Sequence, residues 1–117
     1  NAEAPLPFDI RAVRFETYMT LDAPPGEKEL DRRAALRCQV GRLGVDREVA
    51  QYMRAIAGAH YNPATDVLRI SNDQHRDAAS NRRLSLEQLV ALVSNGAALK
   101  AKHGPFKRHA RFPPYSH

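Results

Sequence analysis

The chain has 117 residues, a formal net charge of +5, a single cysteine and no tryptophan. This length suits one domain with extensions, and the lone Cys38 excludes both an intramolecular disulfide and a multi-cysteine zinc site. No run of about 18 apolar residues occurs, so the sequence predicts no membrane span.

The positive charge is concentrated in the C-terminal third. Residues 80–117 carry seven Lys or Arg side chains against the single acidic residue Glu87, whereas residues 1–79 are close to neutral. Such asymmetry indicates a polyanionic partner, either nucleic acid or an anionic membrane, or else a solubilising tail.

The first predicted element is an N-terminal arm, residues 1–33. Between Phe8 and Leu21 the apolar residues mix helical and strand spacings, which favours an irregular arm that packs on something else. From Ala34 to Val40, Leu36, Cys38 and Val40 alternate with other residues, as in a half-buried strand.

A turn at Gly41-Arg42-Leu43-Gly44 follows, and Asp46 can cap the next helix. The apolar stripe of that helix consists of Val49, Tyr52, Met53 and Ile56. The turn also matches the G-x-x-G loop of KH domains, but that loop joins two helices and here a strand pattern precedes it.

A sharp turn separates this helix from the next strand. Gly58 is placed to end the helix in a left-handed conformation, and Val67 to Ser71 form a strand with Leu68 and Ile70 on one face. The residues predicted to form the structural turn between them are Asn62, Pro63, Thr65 and Asp66.

A long second helix completes the core. Asn81 or Ser85 can cap it, Gly96 is a weak point, and Gly104-Pro105 ends it. Its predicted apolar positions are Leu86, Leu89, Val90, Val93 and Ala97.

The order strand, helix, strand, helix predicts a small α/β or α+β fold in which two helices cover one face of a short sheet. Two strands joined across a helix are most simply parallel, with a right-handed crossover. The predicted core domain spans residues 34–103, and a basic aromatic C-terminal tail spans residues 104–117. Both termini are expected to be extended arms.

The sequence offers no catalytic centre. The five histidines have no metal-site spacing, and Asp73, His75 and Asp77 lie in a short polar loop without a nucleophile or oxyanion motif. We expect no metal site, no cofactor, no small-molecule substrate and no enzymatic activity.

The strand at Leu36 to Val40, the following helix, the Tyr61-Asn62-Pro63-x-Thr65-Asp66 turn and the helix after Asn81 together resemble a known family. The family is the mitochondrial small-subunit ribosomal protein family numbered thirty-five, and the similarity covers about residues 34–101. The chain departs from the family's pattern at His60, where Arg is more usual, and in the loop of residues 74–79.

This resemblance implies a non-catalytic protein of the mitochondrial matrix, bound to the ribosome in the head of the small subunit. Its expected partners are small-subunit ribosomal RNA (rRNA) and neighbouring mitochondrial ribosomal proteins. We predict that rRNA phosphates are contacted by Arg82, Arg83, Lys100, Lys102, Lys107, Arg108 and Arg111. In the tail, Phe106, Phe112 and Tyr115 are suited to stacking on bases or filling protein pockets. The alternative is a free-standing RNA-binding regulatory module.

Overall fold

The computed structural model describes residues 6–17 and 32–106. Four strands and two α-helices form the fold, with single 3-10 turns at Ile10–Ala12, Val40–Arg42 and Gly58–His60. In chain order the elements are β1 (Val13–Thr17), β2 (Ala34–Gln39), α1 (Arg47–Ile56), β3 (Tyr61–Asn62), β4 (Val67–Asn72) and α2 (Ala78–His103).

The four strands form one sheet in the order β1-β2-β4-β3, and every neighbouring pair is antiparallel. The fold is therefore α+β, which confirms the predicted short sheet with helices. The predicted parallel crossover between β2 and β4 is wrong. Strand β4 runs antiparallel to β2 because the two-residue strand β3 and the turn after it reverse the chain before β4 begins.

Strand β1 corrects the prediction of an irregular arm over residues 13–17, whereas residues 18–21 of that predicted arm lie outside the described residues. Val13 pairs with Cys38, and Thr17 pairs with Ala34, so this segment forms the edge strand of the sheet. Phe8 and Val13 are each only 8% exposed. Phe8, Val13 and the partly buried Phe15 therefore pack in the chain's own core, whereas Ile10 is exposed.

The alternation predicted for β2 and β4 is confirmed. Leu36, Cys38, Leu68 and Ile70 are buried on the face that α2 covers. In β2, Ala35, Arg37 and Gln39 alternate with these buried residues and lie on the other face. The sheet is thus apolar on one side and polar on the other.

Helix α1 begins and ends as the sequence predicts. The Asp46 carboxylate accepts a hydrogen bond from the Glu48 backbone N–H at 3.1 Å. The predicted stripe of Val49, Tyr52, Met53 and Ile56 is buried. After the helix, Gly58 takes the left-handed backbone conformation, with φ of 62°.

Helix α2 begins earlier than the sequence suggests. Its N-cap is Asp77, whose carboxylate accepts a hydrogen bond from the Ser80 N–H at 2.7 Å. The predicted caps, Asn81 and Ser85, lie within the helix and are both 0% exposed. Their side chains face other parts of the chain: Asn81 Nδ2 donates to the Arg32 carbonyl, and Ser85 Oγ accepts from Asn72 Nδ2.

The two helices pack together at Gly96, which is buried. A Cβ atom at this position would lie 3.1 Å from both the Val49 carbonyl oxygen and Met53 Cγ. The glycine that the sequence marks as a weak point therefore permits the close approach of α1 to α2. Ala97, predicted to be an apolar core position of α2, is exposed, and Leu92 is buried instead. Gly104, with φ of 77°, ends the helix as predicted.

Candidate nucleic-acid interface

Arg82 and Arg83 lie on the exposed side of the first turns of α2. The Arg82 guanidinium carbon sits 4.5 Å from the centroid of the Phe15 ring, which belongs to β1. A planar cation over an aromatic face gains from the ring quadrupole while its outer edge stays in water. Arg82 is therefore held in one orientation and still exposes donors that suit a phosphate.

Lys100 and Lys102 lie in the last turn of the same helix. Lys100 Nζ is 2.9 Å from Asp46 Oδ2 and 3.6 Å from Glu48 Oε1. The hydrogen bond to Asp46 raises the pKa of Lys100. Lys102 is exposed. Of this pair, Lys100 is already engaged by two carboxylates at the start of α1.

The predicted RNA-contacting residues do not form one patch in the described part of the chain. Arg83 and Lys100 are separated by an axial rise of about 26 Å along α2. Lys107, Arg108 and Arg111 lie outside the described residues. The described members thus form two separate pairs, Arg82 with Arg83 near the start of α2 and Lys100 with Lys102 in its last turn.

The first residues of the predicted tail contact the chain's own core. The Tyr52 hydroxyl donates a hydrogen bond to the Gly104 carbonyl at 2.8 Å. The Phe106 ring stands edge-on to the Tyr52 ring, with centroids 5.2 Å apart. Phe106, expected to stack on bases or fill a partner's pocket, instead packs on α1.

Asp66 is the centre of a hydrogen-bonded cluster at the end of the sheet. Its carboxylate accepts hydrogen bonds from Arg54 Nε at 2.9 Å, the Gly41 N–H at 2.9 Å and the Tyr61 hydroxyl at 2.6 Å. Its backbone carbonyl accepts from the Val40 N–H at 3.0 Å. One turn residue thereby joins α1, β3 and the end of β2.

The protonation of this cluster follows from its contacts. Burial opposes ionisation of Asp66, but the hydrogen bonds from Arg54, Tyr61 and Gly41 together lower its pKa below the ordinary value. The hydrogen bond to Asp66 raises the pKa of Arg54. Burial, followed by the bond to Asp66, raises the pKa of Tyr61. The charged Asp66–Arg54 pair is therefore the stable form near neutral pH.

The other predicted turn residues make local contacts. Asn62 Oδ1 accepts a hydrogen bond from the Ala64 N–H at 3.0 Å, which closes a small turn around Pro63. Gln39 Nε2 donates to the Thr65 carbonyl at 3.4 Å. All of these contacts are within the chain, and the role of this turn in folding alone stays a prediction.

Three strand arginines are candidate contact residues that the sequence patterns did not single out. Arg14, Arg37 and Arg69 occupy directly paired positions of β1, β2 and β4. The alternation of β2 and β4 could have placed Arg37 and Arg69 on the uncovered face of the sheet. Without β1 and the antiparallel register, their alignment with Arg14 could not be found.

The polar loop before α2 has a structural explanation. Asp77 caps the helix, and the His75 backbone N–H donates to Asn81 Oδ1 at 2.8 Å. Within the described ranges, no three His, Cys, Asp or Glu side chains are grouped as metal ligands would be. Neither α1 nor α2 combines the length and apolarity needed to cross a bilayer.

Comparison with known proteins identifies the chain's relatives. The family model MRP-S28, described as a mitochondrial ribosomal subunit protein, matches residues 4–110. This match covers both helices and all four strands. A search of curated proteins found no match.

Proposed function

This chain belongs to the MRP-S28 family of mitochondrial ribosomal small-subunit proteins, and from that premise we propose that it is a structural component of that subunit, supporting mitochondrial translation. Family membership makes it a mitochondrial protein. The match over residues 4–110 is the observation that carries the proposal. A non-catalytic role in the matrix, bound to the ribosome, is the simplest one for a member of this family.

The resemblance to the family numbered thirty-five is a finer assignment. It is supported by the Tyr61-Asn62-Pro63-x-Thr65-Asp66 turn, whereas the matching model carries the number 28. The two agree on a small-subunit protein of the mitochondrial ribosome. We keep the number thirty-five as a proposal.

We also infer that the protein contacts rRNA and neighbouring ribosomal proteins. Arg82 and Lys102 support this because both expose basic groups, and Arg82 is oriented by Phe15. Lys100 contributes less, since a phosphate must compete with Asp46 and Glu48 for it. The remaining proposed contacts are Arg83, Lys107, Arg108 and Arg111.

Sedimentation of the native protein from a mitochondrial lysate tests the proposal. Magnesium is withdrawn to separate the ribosomal subunits, and the protein is followed across the gradient at moderate salt. Co-migration with the small-subunit rRNA supports an integral ribosomal component. Recovery only in light, particle-free fractions would overturn the proposal in favour of a free-standing RNA-binding regulatory module.

Charge substitution tests the tail separately. Replacing Lys107, Arg108 and Arg111 by Gln should reduce incorporation into the small subunit while thermal unfolding stays unchanged. A matched control neutralises three exposed arginines elsewhere, Arg32, Arg47 and Arg76. Equal incorporation of both variants would remove the tail from the RNA-contacting surface.

A further inference from the structure

The sheet has one face that the helices do not cover, here called the open face. Because directly paired residues of antiparallel strands share a face, it is defined by the side chains that alternate with the buried ones. Its strand positions are Arg14, Glu16, Ala35, Arg37, Gln39, Asn62, Val67, Arg69 and Ser71.

Three arginines form a row across the open face. Arg14 is paired in register with Arg37, and Arg37 with Arg69. Adjacent strands lie about 4.8 Å apart, so the row presents three guanidinium groups within a short span. Like charges placed directly opposite one another destabilise a sheet unless a counter-charge is near. An anion close to the three guanidinium groups would therefore stabilise this row.

Within the described residues, the chain supplies only part of that counter-charge. Glu16 lies 3.6 Å from the Arg37 guanidinium and 3.2 Å from that of Arg69. It is the one acidic side chain among the strand positions of the open face. Within residues 6–17 and 32–106, Arg14 and Arg42 form no ion pair, and both are exposed. Counted over the described residues alone, the open face thus keeps a net positive charge.

The surface beside the row is concave. A depression of about 590 Å³ is lined by Arg11, Arg14, Arg37, Gln39 and Arg42. A second depression, of about 320 Å³, is lined by Arg33, Arg69, Ser71, Asn72 and Asp73. Arginines line both depressions, so the basic surface extends along the sheet as well as across it.

The composition of the open face decides the kind of partner. Its apolar strand residues are Val67, which is half-buried, and Ala35, which is buried. No aromatic side chain occupies a strand position of this face within the described ranges, since Phe15 and Tyr61 pack against the core. A protein partner would need apolar or aromatic anchors, and base recognition on a sheet uses stacking rings. Arginine forks instead match phosphate oxygens.

We propose that the open face, together with Arg42 in the depression beside it, binds the sugar-phosphate backbone of RNA through Arg14, Arg37, Arg42 and Arg69. Such binding is independent of base sequence, because phosphate contacts position a protein without reading bases. This inference rests on the proposed ribosomal function and names a contact surface separate from the tail. Arg14 in the row and Arg42 in the adjacent depression, which form no ion pair with any described residue, give the sharpest test.

The first experiment compares two variants of equal charge. R14Q/R42Q removes two of the four proposed contact charges, and R47Q/R76Q removes two exposed arginines outside this surface. Binding of the full chain to transcribed small-subunit rRNA is measured over a range of KCl concentrations, with thermal unfolding as the folding control. R14Q/R42Q should make the slope of log K against log [salt] less negative by about 1 to 1.5, at about 0.7 per phosphate contact on single strands. Equal slopes for the two variants would overturn the proposal.

The second experiment identifies the occupant in the assembled particle. A photo-crosslinking amino acid replaces Ser71, which is exposed on the open face, and in a control replaces Ser94, which is exposed on α2. Crosslinking from position 71 to rRNA above the level seen from position 94 supports the proposal. Crosslinking from position 71 to protein alone would overturn it while leaving the ribosomal function intact. Absence of the wild-type chain from the small subunit would instead be the failure of the proposed function.

Discussion

The Asp66 carboxylate receives the Arg54 guanidinium at 2.9 Å, so the turn between β3 and β4 is bound directly to helix α1. The same carboxylate also accepts the Gly41 N–H, which fixes the exit from β2. Asp66 holds a left-handed backbone conformation, with φ of 58°, that Asp and Asn tolerate better than most residues. Charge and backbone geometry therefore both favour this residue.

The first prediction concerns the charge of Asp66. Asp66→Asn keeps a residue suited to the left-handed conformation but removes the ion pair with Arg54. We expect the free energy of unfolding to fall by about 2 kcal/mol, measured by urea denaturation. The control is Asp73→Asn, at an exposed loop position, which should change stability by less than about 0.5 kcal/mol. Equal values for the two variants would show that the cluster does not stabilise the fold.

The second prediction is a pH dependence. The pKa of Asp66 is lowered in the folded state, so its stabilising contribution is complete above the unfolded value of about 3.9 and is lost as the pH falls through the lower folded value. Stability should therefore decrease below about pH 4, and less steeply in Asp66→Asn. Urea denaturation at several pH values between 7 and 3 measures both curves. Parallel curves would contradict a lowered pKa for Asp66.

The third prediction concerns the contact between the two helices. Gly96→Val would place branched carbons where a Cβ already lies 3.1 Å from the Val49 carbonyl, a backbone atom that cannot move aside alone. The free energy of unfolding should fall by about 2 to 3 kcal/mol despite the better helix propensity of Val. Ala97→Val, at the next and exposed position, should cost less than about 1 kcal/mol. A Gly96→Val variant as stable as Ala97→Val would mean that the helices can separate without cost.

The fourth prediction separates two lysines of the last helical turn. Lys102→Gln should reduce the salt dependence of rRNA binding and leave thermal unfolding unchanged, because Lys102 is exposed. Lys100→Gln should lower the temperature of thermal unfolding and leave the salt dependence of rRNA binding unchanged, since it removes the partner of Asp46 and Glu48. Binding titrations at two salt concentrations, with thermal unfolding, distinguish them. If Lys100→Gln has the larger effect on binding, its ion pairs do not persist in the complex.

Local patterns predicted much of this fold. The alternation in β2 and β4, the apolar stripe of α1, the left-handed Gly58 and the helix end at Gly104 depend on near neighbours in sequence, and each is found as expected. The same information gave the turn around Pro63. It could not give the partners of Asp66, because Arg54 and Gly41 lie 12 and 25 residues away.

Long-range pairing explains what the sequence did not show. Strand β1 has a weak pattern because it is an edge strand, and its pairing with β2 determines where its side chains point. Asn81 and Ser85 were interpreted as caps because they are polar and precede an apolar helix. Their true partners, including the Arg32 carbonyl and Asn72, come from other parts of the chain. The arginine row of the open face depends on the same pairing.

The burial of Cys38 makes the alkylation rate of its thiol a measure of unfolding. Its thiol is buried, and burial together with the negative charge of Asp66 raises its pKa to about 11, so at pH 8 only about one thiol in a thousand is ionised. In an unfolded chain, with a pKa of about 8.5, a substantial fraction would be thiolate. Alkylation by iodoacetamide at pH 8 should therefore count opening events of β2, at a faster rate in Gly96→Val, which keeps the charge of Asp66, than in the wild-type chain. A fast rate in the folded protein, equal to that in urea, would show that the thiol is accessible without opening.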